Sequence, residues 1–352
     1  MSEQTPCIVL GATGYVGGEL LRLIAGHPAL ALHAATSDRQ AGSAIADQFA
    51  HLASHIDADF VSTDAAVAAL AELKSAAIFS AAPHGAAAAT IAALLDAAEA
   101  AGTAVHVVDA SADFRYAHAD AYAAVYGQAH GAPERLPQFV SALPEHLAET
   151  PAQHVGHPGC FATAMQLAIV PLLKHGLVQA NLVATGITGA TGSGKVPTAT
   201  THLPERHANL FAYKPLSHRH APEVVAHVAA ATGTAPALHF VPHSGPFARG
   251  IHMTVVAPAT PACTEDALRG AFASYYAEAP FVRLVDGMPR LKSVVGSNFA
   301  HVGLAANDNT VCVTVVIDNL VKGAAGGAMQ WMNRLLGLDE TAGLMQSAAG
   351  WT

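Results

Sequence analysis

The stretch that most restricts the fold is residues 7–24, CIVLGATGYVGGELLRLI. A short apolar run leads into Gly11, Gly14 and Gly17 and then, without a linker, into an amphipathic helical stretch. Glycines in that setting permit a tight turn, a close approach of backbone to a pyrophosphate, and phosphate contact at the helix N-terminus. The spacing is Gly-x-x-Gly-x-x-Gly rather than Gly-x-Gly-x-x-Gly, so the strand before it and the helix after it carry the reading. The pattern then repeats: ALHAATS, a helix around Ala65 to Leu73, AAIFSAAP, a helix from about Ala86 to Ala101, and VHVVDAS. Strands alternating with helices of this length predict a parallel sheet covered on both faces.

From about Thr150 the texture changes to β-rich segments, LVATGITGATG, ALHFVPH, GIHMTVVAP and NTVCVTVVID, with a helix over Thr264–Ala277 between them. The expected fold is therefore α/β: a doubly wound Rossmann domain over residues 1–155 and an α+β catalytic and association domain over 156–322. Residues 323–352 form a third segment. Within it, Met329, Met332, Leu335 and Leu336 recur at helical spacing over Gly323 to Leu336, beside Trp331, which predicts a core-packing helix returning to the first domain.

Composition narrows the function. Apolar residues reach 52% and charged residues only 12%, but the apolar runs are short and interrupted, so no membrane-spanning stretch is expected. The N-terminal residues lack the basic flank and cleavage site of a secretory signal, which leads to an expectation of a cytoplasmic location. Four scattered cysteines, Cys7, Cys160, Cys263 and Cys312, suit a reducing compartment. The net charge of −9 includes no basic stripe, so a small molecule rather than nucleic acid is the expected partner. Despite 21 histidines, no His-Glu-x-x-His pair or clustered Cys/His spacing predicts a metal site.

The cofactor contacts expected in the first domain are Gly11, Thr13, Gly14, Tyr15, Val16 and Gly17 in the turn, with Ser80 and Pro83 after the third strand. At the end of the second strand, TSDRQ offers both kinds of ribose recognition. Asp38 would favour the two free hydroxyls of NAD, whereas Ser37 and Arg39 would neutralise the 2′-phosphate of NADP. The balance leans to NADP(H).

VGHPGCFATAMQLAIVPLL is the most specific stretch in the chain. Pro158 and Gly159 predict a turn, and Cys160 opens an apolar helix whose unpaired N–H groups and dipole favour thiolate over thiol. Cys160 is the expected nucleophile. A thiolate that forms and releases a hemithioacetal needs a proton carrier, and LSHRHAPEV supplies His218, His220 and Glu223. If His218–Arg219–His220 is extended, both imidazoles share a face and Arg219 faces away. His218 with Glu223 as its partner is preferred as acid/base and His220 as a substrate contact, with the reverse assignment open.

These residues resemble a known family. VGHPGCFATAMQLAIVP is similar throughout to the active-site signature of the N-acetyl-γ-glutamyl-phosphate reductases, relatives of aspartate-semialdehyde dehydrogenase. GATGYVGGELLRL, DASADFR, HRHAPE, PFARGI and DNLVKGAAGGAMQWMN extend the match in order along the chain. The resemblance implies NADPH-dependent reduction of an acyl phosphate to a semialdehyde through a thioester on Cys160. It further implies that Arg115 and Arg249 face substrate anions, that Ser193 and Gly194 of TGATGSGK close over the cofactor, that Asn319 lies near the nicotinamide amide, and that the second domain associates into a homo-oligomer, dimer or tetramer. The loop VPTATTHLPERHANLFAYKPLS departs from the commonest form. N-acetyl is the default blocking group, N-succinyl and carrier-protein-linked aminoadipyl phosphates stay open, and His202, Arg206 and Lys214 are candidates to contact that group or to lie on the surface. The rivals are aspartate-semialdehyde dehydrogenase, a non-catalytic NADP-binding sensor and, more distantly, a zinc hydrolase.

Overall fold

The computed structural model describes residues 4–149 and 153–351, so the change of texture expected at Thr150 lies outside the described residues. The chain divides into two compact units. One comprises residues up to Pro158 together with Ala324–Met345, the other Gly159–Gly323 with residues from Gln346 onward. The expected third segment is thus divided, its residues beyond Met345 grouping with the second unit.

In the first unit, β1 (Thr5–Leu10), β2 (Leu30–Ala35), β3 (Ser75–Ser80), β4 (Ala104–Asp109), β5 (Phe139–Val140) and β6 (His154–Gly156) form one parallel sheet in the order β2-β1-β3-β4-β6-β5. The crossovers are α1 (Tyr15–Ala25), α2 (Ile45–Gln48), α3 (Thr63–Ala69), α4 (Ala87–Ala101) and α5 (Ala119–Tyr126). This is the doubly wound domain read from the alternation. Ile8, Leu10, Ile78 and Val107 pack in one core cluster with Ile91, Leu94 and Leu95 of α4. The helix expected at Ala65 starts earlier, at Thr63, because the Ser62 hydroxyl accepts from the Ala65 N–H and caps it. β1 has β2 on one side and β3 on the other, so the winding reverses there, and such a switch point leaves a crevice beyond the strand carboxyl ends.

The returning helix is Gly326–Leu335, which contacts α1 and β4, with Met329, Trp331 and Met332 fully buried. It starts three residues later than expected. Val321–Ala325 is a π-helical turn in which the Gly323 N–H reaches back five residues to the Asp318 carbonyl.

The second unit has a mixed sheet of β7 (Asn181–Thr188), β8 (Phe211–Ala212), β9 (Ala237–Ser244), β10 (Ile251–Pro258), β11 (Val282–Leu284), β12 (Ala300–Ala306) and β13 (Thr310–Ile317), ordered β11-β12-β13-β10-β7-β9-β8. Its helices are α6 (Cys160–Lys174), α7 (Leu203–Arg206), α8 (His220–Thr232) and α9 (Glu265–Tyr275). Packed against β10, β13, α8 and α9, α6 is buried from Phe161 to Leu172, which is why its sequence is apolar all round. Pro171 inside it has no N–H for the Leu167 carbonyl, and the Tyr276 hydroxyl donates to that carbonyl instead at 2.8 Å. Alternation along β7 and β10 buries Leu182, Ala184, Met253 and Val255 and leaves Val183 and Val256 exposed on the opposite face. No helix among the described residues is long and apolar enough to cross a membrane.

Candidate active site

The glycine turn after β1 is shaped by contacts that tolerate no side chain. Gly11 has φ +66°, and a Cβ there would lie 2.7 Å from Ala82 Cα; at Gly17 it would lie 2.5 Å from the Ala12 carbonyl oxygen. The Gly11 N–H donates to Thr36 Oγ1 at 3.2 Å and the Ala12 N–H to the Thr36 carbonyl at 3.0 Å, which ties the turn to the end of β2. Gly14 caps α1 without a side chain, and the first turn of α1 carries no acid. The N-terminus of α1 is therefore electrically suited to a phosphate, and the cradle fits a dinucleotide. Around it, Thr13 and Val16 are half-buried and Tyr15 is exposed; Ser80 is fully buried at the end of β3, and Pro83 is exposed just beyond.

At the end of β2, the Asp38 carboxylate accepts from the Thr63 N–H (2.8 Å) and hydroxyl (3.1 Å). The acid that would grip free ribose hydroxyls is thus turned to the start of α3, leaving half-buried Ser37 and exposed Arg39 beside it. Arg115 is buried in the same unit, its Nε donating to the His157 carbonyl at 2.9 Å and Nη2 to the Ala110 carbonyl at 3.0 Å. Sequence reasoning passed over Asp113 two residues earlier. Buried, it accepts from the Gly85 N–H, the Ala88 N–H and the Tyr122 hydroxyl, so it fixes the start of α4.

The candidate nucleophile, Cys160, belongs to the second unit. Cys160 is the first residue of α6, partly exposed, after an extended Gly159 that lends no side-chain cap. One cavity of about 220 Å³ is lined by Cys160, Phe161, Tyr213, His218 and His220, together with Gly192 and Ser193 of the Gly-rich loop. The structure thus brings together the thiol and both histidines. It differs from expectation in how they are held. Residues 218–220 are not extended: Arg219 is in a helical conformation and His220 opens α8. Both rings still face inward, 4.7 Å apart and nearly perpendicular, with Arg219 exposed, because a helical turn rather than a strand sets the geometry.

The expected pairing of His218 with Glu223 is corrected. His218 Nδ1 accepts from the His220 N–H at 3.2 Å, while Glu223 Oε1 accepts from the Gly159 N–H at 2.7 Å. Fully buried Glu223 therefore positions the turn that presents Cys160. Within α8 it lies one turn after His220, so His220 is the histidine on its face. Burial, reinforced by the charges of Arg219 and Lys214, pushes the His218 imidazole down to about 4, which keeps it neutral.

Further residues were not foreseen. Tyr213 packs edge-on against His218, with ring centroids 5.7 Å apart, and its hydroxyl is raised far above the ordinary range by burial and by nearby Cys160. Nothing in the spacing marked it. Asp318, wholly buried, accepts from Arg249 Nε (3.0 Å) and Nη2 (3.2 Å) and from the N–H groups of Gly296, Leu320 and Val321. An acid at a strand end, next to Asn319, was its available signal. Asn319 is a latch: its Oδ1 accepts from the Gly250 N–H at 2.7 Å and its Nδ2 donates to Thr191 Oγ1 at 3.0 Å. Gly323 lies against Cys160, where a Cβ would come within 2.8 Å of Cys160 Cβ. Ser193 and Gly194 are exposed. Of the three loop candidates, Arg206 is buried and bonded to the Ser244 hydroxyl and Gly245 carbonyl, His202 is exposed, and Lys214 lines the cavity.

Comparison with known proteins identifies the family of both domains. A family model described as semialdehyde dehydrogenase, NAD binding domain, matches residues 7–153, and one described as semialdehyde dehydrogenase, dimerisation domain, matches 160–319. Among solved structures, aspartate semialdehyde dehydrogenase II of Vibrio cholerae covers 96% of this chain and 99% of its own at TM-score 0.69 and 17% identity. The Candida albicans aspartate semialdehyde dehydrogenase, solved with NADP, covers 95% and 98% at TM-score 0.65 and 16% identity. At such identities these two share the fold. Fold and family models together define an oxidoreductase of the semialdehyde dehydrogenase class that uses a nicotinamide cofactor.

Closer relatives carry one name. Proteins called N-acetyl-gamma-glutamyl-phosphate reductase from Acidithiobacillus ferrooxidans (38% identity) and Azotobacter vinelandii (40%) each match over 97% of this chain and 98% of their own length. The chain belongs to the N-acetyl-γ-glutamyl-phosphate reductase family.

Proposed function

We propose that this chain reduces N-acetyl-γ-glutamyl phosphate to N-acetylglutamate semialdehyde, with release of phosphate, through a thioester on Cys160. The observation that carries the reading is Cys160 at the uncapped start of α6, in one cavity with two histidines. The Cys160 Sγ thiolate attacks the γ-carbonyl carbon, the bond from that carbon to the phosphate oxygen breaks, and phosphate leaves with the electron pair and the proton consumed overall. The reduced nicotinamide, when bound, supplies the hydride that takes the thioester to the level of a hemithioacetal. His220 gives a proton to the hemithioacetal oxygen and takes it back as the carbon–sulfur bond breaks, which returns the thiolate. His220 lies one turn before Glu223 along α8, which supports this role, while burial and the charges of Arg219 and Lys214 oppose protonation of His218.

The first unit is assigned the cofactor, held by the Gly11–Gly17 turn. Arg115 and Arg249 keep the anion-facing role implied by the same resemblance. The second unit is assigned both chemistry and association into a homo-oligomer through the open sheet face that carries Val183 and Val256.

The deciding assay runs the reaction backward. Phosphate-dependent reduction of NADP is expected with N-acetylglutamate semialdehyde, at a kcat/KM well above those with the N-succinyl analogue and aspartate semialdehyde. Equal or better turnover of aspartate semialdehyde would sink the assignment.

We also assign NADP(H) as the cofactor, since Asp38 is engaged with Thr63 and Arg39 is exposed beside Ser37. Arg39→Ala is expected to weaken NADP binding about tenfold or more while leaving NAD binding unchanged, as measured by fluorescence titration. Unaltered NADP affinity would remove this assignment.

A further inference from the structure

The geometry points to Lys214 and Arg219 as the phosphate-recognition pair of the Cys160 cavity, receiving the phosphoryl group of the acyl phosphate as it becomes the leaving group. This rests on the reading of the site given above and assigns it two residues that neither the chemistry of the thiol nor that of the histidines requires. The phosphoryl oxygen is bonded to the carbon that Sγ attacks, so the group must lie in the same cavity as Cys160. Lys214 and Arg219 are the two permanent cations lining that cavity, and no carboxylate lines it. Among the described residues no carboxylate forms an ion pair with Lys214.

Backbone strain at Lys214 supports the same role. Its φ is +46°, a left-handed conformation that costs a residue with a Cβ about 1 kcal/mol or more and that glycine adopts freely. The turn is pinned to β9 on both sides of that residue, by the Tyr213 N–H to the Pro242 carbonyl (3.0 Å) and the Leu216 N–H to the Phe240 carbonyl (2.9 Å). The side chain is thereby held at the cavity on a fixed support. Both cations act on the His218 imidazole on the cavity wall, which sets the two charges within electrostatic reach of one point. Two positive groups converging on a cavity without acids match a phosphate dianion, which offers acceptor oxygens to each.

The test is protection of Cys160 from iodoacetamide in the full-length protein, with inorganic phosphate as the probe at constant ionic strength and with no cofactor or acyl substrate present. Phosphate is expected to slow alkylation saturably. Lys214→Gly and Arg219→Ala should each raise the half-protecting concentration about tenfold, the loss of one charge-assisted contact. Lys214→Gly relieves the left-handed backbone, so its melting temperature should not fall, and Lys214→Arg should retain most of the protection. Failure of phosphate to protect the wild type, or the same half-protecting concentration in both variants, would overturn the inference. So would acetate protecting as well as phosphate with the same dependence on Lys214, since the pair would then be a carboxylate site. The outcome is separable from the proposed reaction: protection as expected, without phosphate-dependent reduction of NADP by N-acetylglutamate semialdehyde, would overturn the reaction alone.

Discussion

Cys160→Ser is expected to lower kcat by about 10⁴-fold or more while leaving dinucleotide affinity unchanged. The hydroxyl of serine is far less acidic than a thiol, and an uncapped helix start that stabilises a thiolate cannot ionise it at neutral pH. The substitution is close to isosteric, and Gly323 already lies against Cys160 Cβ, so the packing at the start of α6 should survive. Dinucleotide binding is the control, because the Gly11–Gly17 turn is built within the first unit. Mass spectrometry of the wild type quenched during turnover should recover an acyl adduct on Cys160, and the serine variant should yield none on the catalytic timescale. A variant that retains more than about a tenth of wild-type kcat would exclude the thioester route.

The second large effect is on stability. Asp318→Ala should destabilise the second unit by about 3 kcal/mol, read as the shift of its denaturation midpoint in urea. The side chain is wholly buried and accepts from Arg249 and from three backbone N–H groups, so its removal leaves several donors without an acceptor. The Arg249 side chain keeps about a quarter of its surface exposed, and water can partly solvate it, which holds the estimate to the lower end for a broken buried pair. Asp318→Asn keeps the shape and some acceptor capacity and should cost less. An alanine variant within about 0.5 kcal/mol of wild type would mean that the hub has little energetic weight.

Much of the architecture was legible because it rests on local regularities. The strand, glycine turn and helix over residues 7–24 form as read, with α1 spanning Tyr15–Ala25, since turn geometry and amphipathic period act over a few residues. Cys160 at the head of a helix was legible for the same reason. The helix limits were read less well. Ser62 extends one helix upstream by capping it, and the bond from Gly323 to the Asp318 carbonyl delays another behind a π turn.

Partnerships across long sequence separation were not legible. The carboxylate of Glu223 bonds to Gly159, 64 residues away, rather than to the neighbouring His218, because α8 packs on α6 and its face is set by that packing. Arg206 looked like a surface candidate and is buried against Ser244 and Gly245, and Tyr213 carried no signal and stands beside the thiol.

Residue order alone thus specified the cysteine that opens a helix, the glycine turn after the first strand and the alternation that winds a parallel sheet, since each depends on neighbours within about one helical turn or one strand. The depressed basicity of His218, which acid holds which partner, and which cations line the cavity were decided by packing. Burial and the orientation of one element against another are properties of the assembled chain, and they set the electrostatics of every group in the site.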